Sequence, residues 1–451
     1  MMLRRLCARI FLVATALQVM ICFSKSSSLD SSSAVSASSF PFPFISVTVD
    51  EFGALGDNET DNTEAFRAAL QFLKKMGGGE MIVPSTGVYQ TGPVNLTSNV
   101  LLRVDGVMRA LTDREAFPKI DVLPSVGHDY DTGGACRRHP FVFAVGAENI
   151  TIMGDGTIDG AGYHWWSDEA RAKDPGVGRP HLVEMNNVTG LEITGVQLLD
   201  SPFWTLHPVY CKHVNIHRMS IQIPWGGFNG DGIDVDSCYR VRIHNNYLNV
   251  GDDHVTILSG VGKAGIDFGM PSKDIVIRDN ILGTGMGLSV GSSVSGGIED
   301  VLYENNIMNE TSGEWGLGIH IKTRTSYGGY IKNVAYVNNT FLTAGMPGGA
   351  LEIESGYQSG SNSSCSYEEC TEISNITFRN NTFLRAGYTG SITCFPARPC
   401  SNIVFDHVSV GDVSPKGAWH CENVASGVFL NVTPPMDPTS RGNCNFTMAS
   451  S

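Results

Sequence analysis

Short segments rich in Ile, Val and Leu recur along most of the chain and have the length of β-strands. Their spacing is 23 to 42 residues, with no helical periodicity between them. Repeats of this length are typical of stacked β-coils, in which each coil contributes an equivalent strand. Nine members of this first series begin at Ile150, Leu191, Val214, Val241, Ile275, Val301, Val334, Ile376 and Ile403.

A second series of strand-like segments is interleaved with the first. An antiparallel sandwich would explain the short strands, but it would not explain two series with a shared spacing. We therefore predict an all-β fold, a parallel β-helix (solenoid) whose coils each contribute strands to at least two separate parallel sheets. The second series begins at Ile233, Val255, Leu288, Ile319 and Leu351, at steps of 22 to 33 residues.

One helix is predicted near the start of the repeats, within "DNETDNTEAFRAALQFLKKMGGG". Apolar residues recur there at helical spacing, Asp61 or Thr63 lies near the expected N-cap, and three glycines end the pattern. An open end of a β-solenoid exposes apolar core and unpaired strand edges, so it needs a cap. We predict that this helix is the N-terminal cap of the stack.

The first residues have the features of a secretory signal peptide. Three arginines precede an apolar run over residues 10–23, and small polar residues follow. We predict a signal peptide over residues 1–26, a flexible leader over residues 27–45 and a single β-helix domain over residues 46–445. No later segment has the roughly 20 apolar residues of a membrane helix, so we expect a secreted protein of the extracellular space or cell wall.

Charge and cysteine content limit the partners further. The formal net charge of −14 argues against binding to nucleic acid or to anionic membranes. Separately, we expect the protein to be a monomer. Outside the signal peptide the chain has nine cysteines. Because the secretory route is oxidising, we expect disulfides, and the odd number of cysteines leaves at least one thiol unpaired. Cys365 with Cys370, and Cys394 with Cys400, are close enough for short loops, but spacing does not fix the pairing. Several Asn-X-Ser/Thr sequons also predict glycosylation.

The candidate chemistry lies at the start of strands of the second series. Asn229 and Asp231 precede one strand, and Asp252 and Asp253 precede the next. Because residues one coil apart lie near the strand separation of about 4.8 Å, we expect three carboxylates to meet. Two coils further on, alternation in "GIHIKT" directs His320 and Lys322 to the same outer face, and Arg324 follows.

Crowded carboxylates beside basic groups suit a hydrolase of glycosidic bonds. Mutual repulsion lets one carboxyl hold a proton while another stays ionised, which supplies an acid and a base that activates water. The bases could bind an anionic sugar. A Ca²⁺ site is the chemical competitor, but the neighbouring lysine disfavours it. We therefore predict no metal and no other cofactor.

The ordered motifs resemble those of polygalacturonases of glycoside hydrolase family 28. The match includes "GDGTIDGAG", "SPFWTLHPVYCKHVNI", "NGDGIDVDS", "GDDHVTI", "GLSVGSSVSGG" and "GIHIKT", and it covers nearly the whole mature chain. The resemblance implies a right-handed parallel β-helix. It also implies an inverting hydrolase of α-1,4-linked galacturonic acid in pectin.

Roles follow from the resemblance for individual residues. Asp252 is implied to be the general acid, while Asp231 and Asp253 hold and deprotonate the water. For an inverting enzyme the acid and base are expected about 6.5 to 9.5 Å apart. Lys322 is implied to bind a substrate carboxylate. The further substrate-binding residues that we predict are Asn229, His320, Arg324 and Tyr327, with Tyr330 as an alternative to Tyr327 at the cleft edge.

Three departures from the family pattern leave the substrate preference open. Met286 stands where the family has the histidine of a Gly-His-Gly motif, His320 replaces an arginine, and His254 replaces a cysteine. A hydrolase of rhamnogalacturonan or xylogalacturonan is therefore an alternative. A non-catalytic protein that binds cell-wall polysaccharide is an alternative of another class, and a Ca²⁺-dependent lyase is a further one.

Overall fold

All the predicted repeats form strands, and these belong to two of three long parallel sheets. The computed structural model describes residues 45–127, 136–309, 316–344, 348–359, 364–413, 417, 419–437 and 442–449. The predicted signal peptide, and all of the predicted leader except its last residue, lie outside the described residues. The predicted all-β fold, a right-handed parallel β-helix, is confirmed.

Sheet A contains every member of the first series predicted from the sequence, paired in chain order. Its strands within the described residues are Ser46–Thr48, Gly79–Val83, Val100–Val104, Glu148–Met153, Thr189–Thr194, Lys212–His217, Tyr239–His244, Ser272–Arg278, Ile298–Glu304, Tyr330–Val337, Glu372–Arg379, Ser401–Asp406, Gly427–Leu430 and Phe446–Ala449.

Sheet B contains every member of the second series, also in chain order. Its strands within the described residues are Val94–Asn95, Val142–Val145, Val183–Asn186, Leu206–Val209, Ile233–Asp236, Val255–Leu258, Leu288–Val290, Ile319–Lys322, Leu351–Glu354, Ser391–Thr393 and His420–Glu422.

Sheet C is the third face of the coils, and its strands are short. The Asn-rich segment that follows each later strand of sheet A turns the chain into sheet C. The described strands of sheet C are Asp57–Asp61, Val88–Thr91, Val107–Ala110, Thr157–Asp159, Gln197–Leu199, Ser220–Gln222, Tyr247–Asn249, Ile281–Leu282, Ile307–Met308, Thr340–Phe341, Thr382–Phe383 and Ser409–Val410. A small separate sheet joins Lys119–Ile120, Cys136–Arg138 and Val177–Gly178.

A ladder of buried asparagines stabilises the turn between sheets A and C. The amide nitrogens of the backbone and the side chain of Asn280 both donate to Oδ1 of Asn306, at 3.1 and 2.9 Å. Asn306 donates in the same way to Asn339 at 3.0 and 2.9 Å. The ladder begins at Asn246 and extends to Asn381. It supplies partners to backbone groups that the turn would otherwise leave buried and unpaired.

The predicted capping helix is present over Thr63–Lys75. Its N-cap is Asn62, between the two residues suggested by the sequence. The helix buries Phe66, Leu70 and Leu73 against the first coils, so an apolar face closes that end of the core. The other helices within the described residues are Tyr163–Trp166, Asp168–Ala172 and Gly262–Phe268, with short 3-10 turns at Val49–Phe52 and Arg114–Ala116.

Three disulfides lie in the later coils within the described residues: Cys365–Cys370, Cys394–Cys400 and Cys421–Cys444. Three of the described cysteines are unpaired, which confirms the expectation of at least one free thiol. They are Cys136, Cys211 and Cys238. Among the residues that the structure describes, no helix is both long and apolar enough to cross a membrane.

Candidate active site

The outer face of sheet B forms the floor of a cleft with a volume of about 440 Å³. Residues alternate along each strand, so the apolar residues on either side of Asp234 join the core while Asp234 lines the cleft. Strand pairing aligns Asp234 with Thr256, and the same column continues through Ser289 and His320 to Glu352. One column of the sheet therefore carries polar groups along the floor.

The three aspartates predicted from the sequence meet at this floor. Asp231 lies ahead of the strand Ile233–Asp236, and Asp252 and Asp253 lie ahead of the next strand, so pairing of the strands brings the turns together. One carboxylate oxygen from each lies within 4.8 Å of the others. These oxygens are closer than the separation of about 6.5 to 9.5 Å that is usual between the acid and base of an inverting site.

Asp253 is the carboxylate with the strongest partners. Its Oδ2 accepts a hydrogen bond from Nζ of Lys322 at 2.8 Å, and its Oδ1 accepts one from the hydroxyl of Ser289 at 2.7 Å. Burial alone would raise the pKa of Asp253, but the Lys322 ammonium and these two hydrogen bonds bring it below its usual value. Asp253 is therefore ionised at mildly acidic and neutral pH.

The pKa of Asp252 is displaced in the opposite direction, upward. Its Oδ1 accepts a 2.9 Å hydrogen bond from the backbone amide of Asp253, and its Oδ2 accepts one from the Asn229 side chain at 3.4 Å. Burial and the negative charge of Asp253 raise the pKa of Asp252 to about 6. Neighbouring carboxyl groups with pKa values displaced in opposite directions provide a proton donor and an ionised base.

Asp231 is buried like Asp253, but it favours its protonated form. Burial and the charges of Asp252 and Asp234 raise its pKa well above the usual value. Its Oδ1 has no hydrogen-bond partner within the described structure. Since Asp253 is ionised and Asp231 tends to keep its proton, the two carboxyl groups that flank the predicted water position differ in charge.

Asp234 is a cleft residue that the sequence analysis did not single out. Its side chain is fully buried, and neither carboxylate oxygen has a hydrogen-bond partner among the described residues. Burial raises its pKa well above the usual value, although the charge of His207 opposes this. The alternation of "IDV" that places Ile233 and Val235 in the core was the available signal for Asp234.

Arg179 is a second residue that sequence reasoning missed, and it holds Asn229 in place. Its guanidinium donates to the carbonyl oxygens of Pro202 and Phe228, each at 2.7 Å, and to Oδ1 of Asn229 at 3.2 Å. Burial lowers the pKa of Arg179 to about 10, so the side chain remains charged at neutral pH. Asn229 in turn donates to Asp252, which links Arg179 to the predicted acid.

The remaining predicted site residues differ in position. Lys322 and Arg324 line the cleft. His320 occupies the same column of the floor but lies beyond the cleft lining, packed edge-on against Tyr357 with ring centroids 5.5 Å apart. Tyr327 does not belong to the lining, where Tyr357 stands instead. Tyr357 follows the strand Leu351–Glu354, a loop position without a periodic signal in the sequence.

His254 is a packed structural histidine. Its ring is fully buried, with Nε2 3.1 Å from the carbonyl of Gly283, and Nδ1 accepts a hydrogen bond from the amide of Gly287 at 3.2 Å. Burial lowers its pKa to about 4. The ring supports the turn in which the amide of Met286 donates to the carbonyl of Asp252 at 2.7 Å. His254 thus contacts the backbone that positions Asp252 without entering the cleft.

Among the residues that the structure describes, three groups of side chains have the composition of cation ligands: Asp231 with Asp252 and Asp253, His181 with Glu184 and His207, and His320 with Glu352 and Glu354. In the first group Lys322 already neutralises Asp253. In the second, Arg137 binds both oxygens of Glu184. A cation at either place would be repelled by the basic side chain that is present.

Comparisons with known proteins agree with this geometry. Residues 78–430 match the family described as Glycosyl hydrolases family 28. A probable polygalacturonase of Vitis vinifera is 32% identical over 417 residues, which cover 89% of this chain and 83% of that protein. An exopolygalacturonase of Thermotoga maritima is similar in structure, with a TM-score of 0.72 and 27% identity over 85% of this chain and 92% of that one. A polygalacturonase of Erwinia carotovora ssp. carotovora gives a TM-score of 0.65 and 25% identity, over 84% and 95% of the two chains.

Proposed function

Because the chain belongs to family 28 of the glycosyl hydrolases, and is a glycoside hydrolase of polygalacturonate, we propose an inverting mechanism with Asp252 as acid and Asp253 as base. The single observation that carries this proposal is the contrast between the two adjacent carboxyl groups. Asp253 is held ionised by Lys322 and Ser289, whereas Asp252 has a pKa of about 6. The non-catalytic alternative is set aside, since the chain is a hydrolase.

The reaction follows from these protonation states. Asp252 transfers its proton to the glycosidic oxygen while the bond between that oxygen and the anomeric carbon breaks. Water attacks the anomeric carbon from the opposite face and gives a proton to Asp253. Asp231 contributes a further oxygen that holds the water. One proton enters the leaving sugar and one is taken up by the base, so the pair must exchange a proton with solvent before the next cycle.

The short distance between the carboxyl oxygens raises the possibility of a retaining mechanism, which needs a carboxylate nucleophile. Both oxygens of Asp253 already accept hydrogen bonds, and Asp231 favours its protonated form. Neither is a free anionic oxygen, so each is better suited to hold water than to attack carbon. These contacts and protonation states favour inversion.

Substrate binding is proposed for the basic and polar residues around the acids. Lys322 and Arg324 line the cleft and would attract the carboxylates of the substrate. Asn229 links the acid to Arg179 and would orient the leaving sugar. His320 and Tyr327 remain predicted substrate contacts. Tyr357 lines the cleft, so it is better placed than Tyr327 to contact a sugar.

Release of reducing ends from polygalacturonate tests the proposed roles. We expect activity in the wild type with and without EDTA, and loss of activity in Asp252→Asn. Asp300→Asn, an exposed change on sheet A, serves as the matched control and should retain activity. Formation of unsaturated uronides, or full activity in Asp252→Asn, would contradict the proposal.

We also propose that the protein is secreted, through a signal peptide over residues 1–26, and that residues 46–445 form one domain that acts as a monomer in the extracellular space or cell wall. The disulfides of the later coils support an oxidising route. Expression of the full chain with a C-terminal tag should give a shortened, soluble protein in the medium. Retention of the full-length chain inside the cell would contradict secretion.

A further inference from the structure

Beyond Lys322, the cleft floor changes from basic to acidic. Strand pairing places Glu352 beside His320 and Glu354 beside Lys322, on the next coil of sheet B. Nε2 of His320 lies 3.9 Å from Oε2 of Glu352 and 3.5 Å from Oε2 of Glu354. We name His320, Glu352 and Glu354 the acidic step; His320 lies on the same strand as Lys322, and the two glutamates lie on the next strand of sheet B.

The charge of the acidic step has little compensation. Among the described residues, His320 is the only basic group within ion-pair distance of either glutamate. Burial lowers the pKa of His320, so its ring is uncharged at neutral pH. Lys322 is close in sequence, but its ammonium is bonded to Asp253. Burial and the charge of Glu354 raise the pKa of Glu352 to about 7, so at mildly acidic pH the negative charge of the acidic step lies mainly on Glu354.

Two further observations indicate that the acidic step is a contact surface and not only part of the scaffold. The side chain of His320 is 91% buried, yet its Nε2 has no hydrogen-bond partner within the described structure and is directed at the glutamates. The side chains of Glu352 and Glu354 retain 20% and 33% of their exposure. A ligand can reach these carboxylates from the solvent side.

Each coil advances the floor by roughly 4.8 Å, which is comparable with the length of one sugar in a 1,4-linked chain. We propose that the acidic step is the subsite for the sugar next to the one bound by Lys322, and that it selects a sugar without a free carboxylate, such as a methyl-esterified galacturonosyl residue. The inference rests on the proposed function, because it takes the substrate to run along this floor.

The acidic step would select between a uronate and its methyl ester through repulsion of like charges. A uronate on the acidic step would bring its carboxylate against that of Glu354, which lacks a cationic partner, and this contact costs binding energy in a partly desolvated cleft. A methyl ester removes the charge of the sugar and with it the repulsion. Glu352, whose pKa is raised to about 7, adds to the repulsion only as the pH approaches neutrality.

The test compares kcat/KM on fully de-esterified polygalacturonate with kcat/KM on a partially methyl-esterified sample of the same polymer. The ratio of esterified to de-esterified activity should fall about tenfold in Glu354→Gln, because removing one negative charge favours the uronate. Glu352→Gln should have a smaller effect in the same direction at mildly acidic pH, because the pKa of Glu352 is raised to about 7. Glu422→Gln is the matched control, since Glu422 carries a carboxylate beside His420 two coils further along the same face.

The outcomes separate this proposal from the proposed function. An unchanged ratio in both glutamine variants would overturn the subsite, while hydrolysis of both polymers would leave the mechanism intact. No hydrolysis of either polymer by the wild type would contradict the mechanism itself. If EDTA or added Ca²⁺ changed the ratio in the wild type but not in Glu354→Gln, the acidic step would be a cation site and the proposal would be wrong.

A comparison of two ligands on the same variant also tests the proposal if the variant has lost activity. In the Asp252→Asn background, which permits binding without turnover, affinity for de-esterified and methyl-esterified oligogalacturonides can be measured directly. Glu354→Gln should tighten binding of the de-esterified oligomer about tenfold and leave that of the esterified oligomer unchanged. An equal change in both affinities would contradict selection by charge.

Discussion

The ammonium of Lys322 donates a 2.8 Å hydrogen bond to the carboxylate of Asp253, although the two residues are 69 positions apart in the chain. They meet because Lys322 lies on the outer face of sheet B and Asp253 lies in the turn ahead of the strand Val255–Leu258, with only the coil of Ser289 between them. This contact keeps Asp253 ionised beside Asp252, which favours its protonated form. The pair supplies the base and the acid that the proposed mechanism needs.

The pKa of Asp252 predicts the alkaline side of the pH profile. The general acid must carry its proton, and with a pKa of about 6 the protonated fraction falls about tenfold for each pH unit above that value. We expect kcat to decline above about pH 6 and to fall by about 10² to 10⁴ in Asp252→Asn. Initial rates of reducing-end release over a pH series check this. A flat profile to pH 8 would assign the proton donor to another group.

Removing the charge of Lys322 should move the acidic side of the profile. The ammonium lowers the pKa of Asp253, so in Lys322→Met that pKa rises and a higher pH is needed to ionise the base. We expect the acidic limb of the rate profile to shift upward and KM to increase. Leaving a buried carboxylate without its partner should also cost about 3 to 5 kcal/mol of stability, measured by denaturant unfolding. Lys263→Met, in an exposed pair, is the control for both measurements.

His254 should affect stability without affecting the pH profile. Its pKa of about 4 leaves it neutral where the enzyme would act, and its ring supports the turn that contacts the backbone of Asp252. We expect His254→Ala to lower the unfolding free energy by about 2 to 4 kcal/mol and to reduce kcat more than it raises KM. The pH values at which the rate falls on the acidic and alkaline sides of the profile should not change. A shift of either limb would indicate that His254 takes part in proton transfer.

The asparagine ladder should be a main source of cooperativity between coils. Asn306→Ala removes an acceptor used twice by Asn280 and leaves buried donors unpaired. We expect a loss of about 1 to 3 kcal/mol in the free energy of unfolding. Asn215→Ala, on the half-exposed face of sheet A, should change stability by less than about 0.5 kcal/mol. Equal effects of the two changes would contradict the proposed role of the ladder.

The sequence predicted the fold because strand periodicity and coil spacing are local properties. The segment beginning at Ile150 and that beginning at Ile233 are members of the two series, and they fall in sheets A and B. Sheet C was not predicted, since strands such as Ile307–Met308 are too short to show alternation. The capping helix was recognisable because its apolar spacing spans three turns.

The candidate site was predictable where its residues lie on strands or directly before them. Asp231, Asp252 and Asp253 could be placed together from coil spacing alone. Arg179 and Tyr357 could not, because loops position them and loop conformation has no periodic signal. The separation expected between the acid and the base of an inverting site stays a prediction, and it does not describe how closely single carboxyl oxygens approach. That approach depends on side-chain contacts, such as the one between Lys322 and Asp253, which the sequence pattern does not encode.

The configuration of the first product tests the central claim most directly. We expect ¹H NMR of the wild type acting on polygalacturonate to show new reducing ends first as the β-anomer, which then mutarotates, because water attacks an α-linked sugar from the opposite face. The close carboxyl oxygens make this result decisive, since a nucleophilic Asp231 or Asp253 would retain the configuration. Initial formation of the α-anomer would contradict the account.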